Sequence, residues 1–413
     1  MTKIKMFSLS LVAFAIISCG GDTTETNTKT VGKNSNVAPG LESNTSSDSN
    51  GAKDNIFRLN FSDPPTFDPA LVTDTTSASI IVEIFSGLVT LNKELDIIPD
   101  LAESWDISDD GKTYTFNLRN DIKFSNGDKV TASDFKWSIE RAANPDTGSM
   151  NAEVYLGDIV GVTEVIEAGG SLTEVTGLKV IDEKTLEITI DEPKTYFLAK
   201  LTYPTAFVLS EKFVTQQGEN WIDQPVGTGP FVMTEYQIGQ TLKLKPNDNY
   251  WGEKAKVDGI IMNLAGGVSM AMYENDEVDI TGVGLADLER VKNPNDPLNK
   301  DLVNVPPQFS LNYIGFNVNM PPFDDVNFRK ALSHAVDKEI IADKIYSGLT
   351  KPAFSIIPPG FPGYSPNIDG LSFNEELAKE YLAKSKYADP ASRPRIIVTI
   401  PGTGGSPGLD TEV

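Results

Sequence analysis

The sequence predicts an α/β protein. Three observations carry that expectation. Ile56–Phe61 is a short run of strand-forming residues, and a helical pattern follows it. Thr113–Arg119 alternates strictly, with Tyr114, Phe116 and Leu118 on one face and Thr113, Thr115, Asn117 and Arg119 on the other. Asp-Gly and Asn-Gly turn signals flank that strand, and a cappable helix follows.

The elements follow in order. Asp63-Pro64-Pro65 ends the first strand, because proline cannot donate to a ladder. Phe67-Asp68-Pro69-Ala70 leads into a polar loop, Thr73 to Thr76. A helix is predicted over Ser77–Phe85, with Ile80, Ile81, Ile84 and Phe85 on one face and Gly87 as its stop. Leu101–Trp105 leads into a strand, and Asp109-Asp110-Gly111-Lys112 turns it into Thr113–Arg119. Asn126-Gly127 separates Ile122–Phe124 from Lys129-Val130. Thr131–Asp134 starts a helix that turns Phe135, Ile139 and Ala142 inward and ends before Asn144-Pro145. Gly227-Thr228-Gly229-Pro230 permits a tight turn into a strand over Phe231–Tyr236. Asp324 or Asp325 caps a helix carrying Phe328, Ala331, Leu332 and Ala335, and Asp337 caps the next, which ends at Gly348. A last strand is predicted over Arg395–Ile400.

The start of the chain is a different kind of segment. Lys3 and Lys5 precede the apolar stretch Met6–Ser18, which is shorter than the ~20 residues of a membrane span. Ile16-Ile17-Ser18-Cys19 resembles the lipobox of bacterial lipoproteins. That resemblance implies a signal peptide over 1–18, acylation of the Cys19 thiol and a lipid-anchored protein of the cell envelope. Residues 19–54 are rich in Thr, Asn, Ser, Gly and Asp, too polar to offset ordering entropy, and are expected to be a disordered tether.

Composition excludes several function classes. The 413 residues allow two or three domains, and 39% are hydrophobic. Cys19 is the only cysteine, so no intramolecular disulfide forms. His334 is the only histidine, which argues against a histidine-rich metal site and a Ser-His-Asp centre. It lies among core positions of its helix and is expected to be structural or on the helix surface. The net charge of −23 argues against nucleic-acid binding. Asp109-Asp110 and Asp324-Asp325 are adjacent pairs placed where turns or caps need them, not the separated carboxyls of a glycosidase. Gly402–Gly408 lacks the Gly-Lys-Ser/Thr ending of a phosphate loop. Met270 and Met272 read as packing rather than a soft-metal site. No catalytic group, metal or cofactor is expected.

LAESWDISDDGKTYTFNLRNDIKFSNGDKVTASDFKWSIERA, Leu101–Ala142, resembles the signature segment of the family 5 extracellular solute-binding proteins. Phe67–Val89, Pro225–Trp251, Ile314–Gly348 and Pro352–Tyr364 resemble further segments of that family in the same order. These are peptide- and nickel-binding components of ABC importers. The resemblance implies a two-lobe, type II periplasmic-binding-protein-like fold with an inserted subdomain. Residues 55–85 and 207–308 would form the first-lobe core, 86–206 the inserted subdomain and 309–413 the second lobe. The family's sequences continue beyond Val413, so an incomplete second lobe is expected, with no competent closed cleft and a tendency to aggregate.

The same resemblance implies a function. The protein would not be an enzyme. It would capture peptides between its lobes by hinge closure and deliver them, as a monomer, to an ABC permease powered by a separate ATPase. Thr73, Asp74 and Thr75 map to the loop that pairs with a peptide as an added strand. Gln308, Ser310 and Tyr313 map to the contacts before the hinge strand, and a further contact falls at Met150 or Asn151. A lipoprotein receptor on the same fold, or a binder of nickel chelate, haem or oligosaccharide, is the alternative.

Overall fold

The computed structural model describes residues 55–305, 310–361, 363–368 and 370–397. They form two compact units, 55–281 and the residues from Gly282 onward. Cys19, the tether, Gln308 and Gly402–Gly408 lie outside the described residues.

The first unit holds ten strands: β1 (Ile56–Asn60), β2 (Val89–Leu91), β3 (Ile97–Pro99), β4 (Ala102–Ile107), β5 (Thr113–Leu118), β6 (Leu178–Asp182), β7 (Thr185–Thr189), β8 (Phe231–Gln237), β9 (Thr241–Pro246) and β10 (Gly259–Asn263). Its helices are α1 (Thr75–Ile84), α2 (Ala132–Ala143), α3 (Ala152–Leu156), α4 (Val162–Glu167), α5 (Phe197–Lys200), α6 (Glu211–Gln217) and α7 (Ser269–Glu274).

One sheet runs β1-β10-β9-β8. β1 pairs with β10 in parallel, Ile56 opposite Gly259, and the other two ladders are antiparallel. The parallel contact makes the chain leave the sheet after β1 and return to it far along the sequence. Everything from β2 to β7 is spelled out in between. A second sheet runs β4-β5-β7-β6, antiparallel throughout, and β2 and β3 form a small hairpin.

Each large sheet has its own core. Ile80, Ile81 and Ile84 of α1 pack with Phe85, Leu242, Leu244 and Ile260 on the first. Phe135 and Ile139 of α2 pack with Phe116, Leu186 and Ile188 on the second. The alternation read from the sequence is the cause: Tyr114, Phe116 and Leu118 are buried, and the residues between them are not. Burial of each large side chain contributes ~1.5–3 kcal/mol relative to exposure.

The first-unit elements read from local signals, β1, α1, β5, α2 and β8, lie within a residue or two of their expected bounds. The β4–β5 turn has Gly111 at φ 71°, where a side chain would be strained. The Asp134 carboxylate accepts from the N–H and the hydroxyl of Thr131 at the start of α2. One boundary needs correction. The first helix begins at Thr75, not Ser77, because Asp74 accepts from the Ser77 N–H at 2.8 Å and nucleates the turn earlier. It ends with Phe85 as its C-cap, two residues before Gly87.

The second unit is helical among its described residues: α8 (Leu285–Lys292), α9 (Val326–Ala335), α10 (Lys338–Ile340) continuing as a wider turn over Ile341–Ile345, and α11 (Glu375–Lys384). Asp325, Asp337 and Asn374 cap α9, α10 and α11 with their side chains. Phe328 and Ala331 of α9 and Ala378 of α11 are buried. Arg395, Ile396 and Ile397 belong to no strand, contrary to the periodicity there, and the rest of that run is outside the described residues. No helix among the described residues is long and apolar enough to cross a membrane.

Candidate ligand-binding loop

The segment between β1 and α1 is tied down by side-chain hydrogen bonds from several elements. It starts with Phe67, buried in the first core and edge-on to Tyr236 at 4.8 Å. Asp68 follows, 3% exposed. Its carboxylate accepts from Ala70 N–H at 2.9 Å and takes both arms of the Arg141 guanidinium, at 3.0 and 2.6 Å. Arg141 also lies over the Trp221 ring at 5.4 Å. Ala70 packs into the second core, whereas Phe67 and Val72 pack into the first. The loop therefore straddles both.

Val72 is fully buried, and its carbonyl accepts from Asn151 Nδ2 at 2.6 Å and Tyr203 OH at 3.2 Å. Asn151 Nδ2 also reaches the Tyr203 hydroxyl at 3.0 Å. The Tyr203 ring stacks on Tyr155 at 3.6 Å, nearly parallel. Burial raises both phenols above their ordinary values, with the facing Tyr155 a further cause for Tyr203, so the Tyr203 hydroxyl keeps the proton it donates to Val72.

After these ties the chain emerges. Thr73 is exposed, and no hydrogen bond engages its main-chain N–H or C=O among the described residues. Asp74 is spent on the cap of α1, and Thr75 is that helix's exposed first residue. The structure thus brings Thr73, Asp74, Thr75 and Asn151 into one neighbourhood. Asn151 serves there as a prop for Val72. Met150, the alternative at that position, is 75% exposed. Ser310 and Tyr313 belong to the second unit, where both are exposed.

Sequence reasoning missed Asp68, Arg141 and Tyr203. A charge amid the apolar run Phe67–Ala70 was a usable signal for Asp68. Nothing local pointed from it to Arg141 or Tyr203.

His334 is structural. It is buried, its Nδ1 donates to Ser372 O at 2.7 Å, and its ring stacks on Tyr381 at 5.6 Å. No group of three or more His, Cys, Asp and Glu that could hold a metal occurs among the described residues. Two carboxyls of the first unit are shifted upward. Burial pushes Glu83 and Asp100 up to about 7. Burial, with those two charges facing it, pushes Tyr250 up to about 12.

Comparison with known proteins decides the family. Residues 96–407 match the model of the bacterial extracellular solute-binding proteins, family 5 Middle. The chain belongs to that family. The family 5 chain is 32% identical over 340 residues to the dipeptide-binding protein DppE of Bacillus subtilis (strain 168), covering 80% of this chain and 60% of that relative. The chain therefore spans about three fifths of that relative's length. Among solved structures, it resembles a periplasmic oligopeptide-binding protein, OppAIV, from Borrelia burgdorferi at 30% identity and TM-score 0.67, covering 80% of this chain and 67% of the other. It resembles the Escherichia coli murein tripeptide binding protein MppA at 26% identity and TM-score 0.70, covering 80% and 66%. The two-lobe α/β fold expected from the family resemblance is the fold of these neighbours. The family is one of bacterial extracellular solute-binding proteins.

Proposed function

We propose that this protein captures di- or oligopeptides for an ABC importer, with Thr73–Thr75 as a main-chain docking edge. The exposed Thr73, with its N–H and C=O unpaired beside a rigidly tied loop, is the observation that carries this reading. An extended peptide bonds to such an edge through its backbone, which suits a ligand of variable sequence. The peptide-binding names of the relatives support the same class.

The remaining assignments rest on the family resemblance. Gln308, Ser310 and Tyr313 are further contacts. Residues 55–85 and 207–308 form the first-lobe core, 86–206 the inserted subdomain and 309–413 part of a second lobe. The β1–β10 pairing supports the return of the chain to that core. Acylated Cys19 holds the monomeric protein at the envelope membrane near its permease and ATPase.

Titration calorimetry of the full-length protein with trialanine and pentaalanine tests the ligand class. Binding of either, weakened at least tenfold by Tyr313→Ala with an unchanged melting curve, is the expected result. Binding of haem or a nickel–histidine complex with no peptide binding would overturn it. Cys19→Ser is expected to move the protein from the membrane fraction to the soluble fraction.

A further inference from the structure

Before α1, the loop that carries Thr73 has one main-chain hydrogen bond of its own, from the Leu71 N–H to Asp68 O at 3.0 Å. The rest of its shape comes from side chains that reach it. Asp68 is the hub. Its carboxylate closes the turn through the Ala70 N–H, and the Asp68 N–H donates to Thr66 Oγ1 at 3.0 Å. A carboxylate buried to this degree needs a counter-charge. Arg141 supplies it in fork-to-fork geometry from α2, which packs on the other sheet. The side chains of Asp68 and Arg141 are only 4% and 18% exposed. Water therefore does little to screen the pair.

We propose that Arg141 and Asp68 are a positioning pair. Together they hold Leu71–Thr75 in the conformation that presents Thr73 to the ligand. Neither residue touches the ligand. The inference rests on the docking edge proposed above. The inserted sheet and its helix then act as a jig for a loop that belongs, by chain order, to the other sheet. Asn151 and Tyr203 share the task at Val72, one residue before the edge.

Arg141→Lys keeps the charge and the helix but removes the second arm of the fork. Hydrogen exchange of the full-length protein reads the loop directly. The amides of Ala70 and Leu71, which donate to the Asp68 carboxylate and carbonyl, are expected to exchange about tenfold faster or more in the variant, while those of β5 and β9 keep their rates. Affinity for pentaalanine is expected to fall about tenfold, because the variant must order the loop on binding.

Arg58→Lys is the control. Arg58 makes a comparable two-armed contact with Asp279, at 3.1 and 2.8 Å, away from this loop. It is expected to leave the loop's exchange unchanged. Unchanged loop exchange in Arg141→Lys overturns the proposal. A uniform rise across β5, β9 and the loop also overturns it, by showing a general structural role. Faster loop exchange with unchanged pentaalanine affinity overturns the positioning claim. Should the wild-type protein bind neither trialanine nor pentaalanine, the peptide reading fails, and the exchange result alone decides whether the pair sets the loop.

Discussion

The first unit buries its helices on sheets, and the second, among its described residues, packs helix on helix. In the first, Phe116, Phe135, Ile80 and Ile84 are almost wholly inaccessible, because each faces a sheet with a matching apolar side. In the second, α9 and α11 cover Phe328, Ala331 and Ala378, yet Ile314, Ile340 and Ile356 stay exposed. Both units have capped helices: Asp74 and the Thr131–Asp134 box in one, Asp325, Asp337 and Asn374 in the other. Capping decides where a helix starts. Only a facing layer decides how much its apolar side is worth.

The sharpest way to break this comparison is Gly227→Ala. A Cβ there would run into the Ile84 carbonyl, which is backbone and cannot step aside. Urea denaturation is expected to show a loss of about 3 kcal/mol or more in the first unit. A loss below about 1 kcal/mol would mean that the junction of α1 with the Gly227–Pro230 turn is looser than its geometry.

Matched core truncations sharpen the point. Phe116→Ala is expected to cost about 3–5 kcal/mol, and Phe328→Ala about 2–3 kcal/mol, since fewer buried neighbours surround it. Equal costs would remove the distinction between the two packing modes.

The two raised carboxyls make a pH test confined to the first unit. Glu83 and Asp100 keep their protons to about pH 7 when folded, whereas unfolded carboxyls release theirs near about pH 4. The folded state therefore binds more protons between those values. The stabilisation from these groups is full below about pH 4, is lost as pH rises to about 7, and changes little beyond. Asp100 is buried and Glu83 keeps some solvent contact, so Asp100 carries the larger share. Asp100→Asn with Glu83→Gln is expected to remove this downward trend and raise Tm at pH 8 by roughly 2–4 °C. Melting curves at pH 5 and pH 8 with the wild-type difference retained would refute the assignment.

Asp325→Ala should cost about 1 kcal/mol in the second unit, read by the unfolding of α9. Its carboxylate caps Asn327 and Phe328 and also accepts from Lys386 N–H at 2.9 Å, tying α9 to the end of α11. Smallest of all, Lys379→Ala should cost under ~0.5 kcal/mol, since its pair with Glu375 is exposed on α11.

The candidate site was legible in part. Thr73, Asp74 and Thr75 stood out as a polar break between a strand and an apolar helix, and the structure places them in the tied loop and the start of α1. The earlier start of that helix came from Asp74 itself, whose short carboxylate bonds the Ser77 N–H. The family resemblance implies Asn151 as a contact, but its amide is engaged by Val72 and Tyr203. Arg141 gave no sign, because a charged residue near a helix end reads as a solvated one until its partner is known.

By itself, the sequence determined the local grammar of this protein: where strands alternate, where glycine turns fall, and which Asp, Asn and Thr residues begin helices. These depend on a few neighbouring residues and on backbone geometry. Tertiary structure alone decided that Ile56 lies beside Gly259 and that Asp68 meets Arg141. Such pairings join residues far apart in the chain. They are fixed by which apolar faces close on each other, and no local period records that choice.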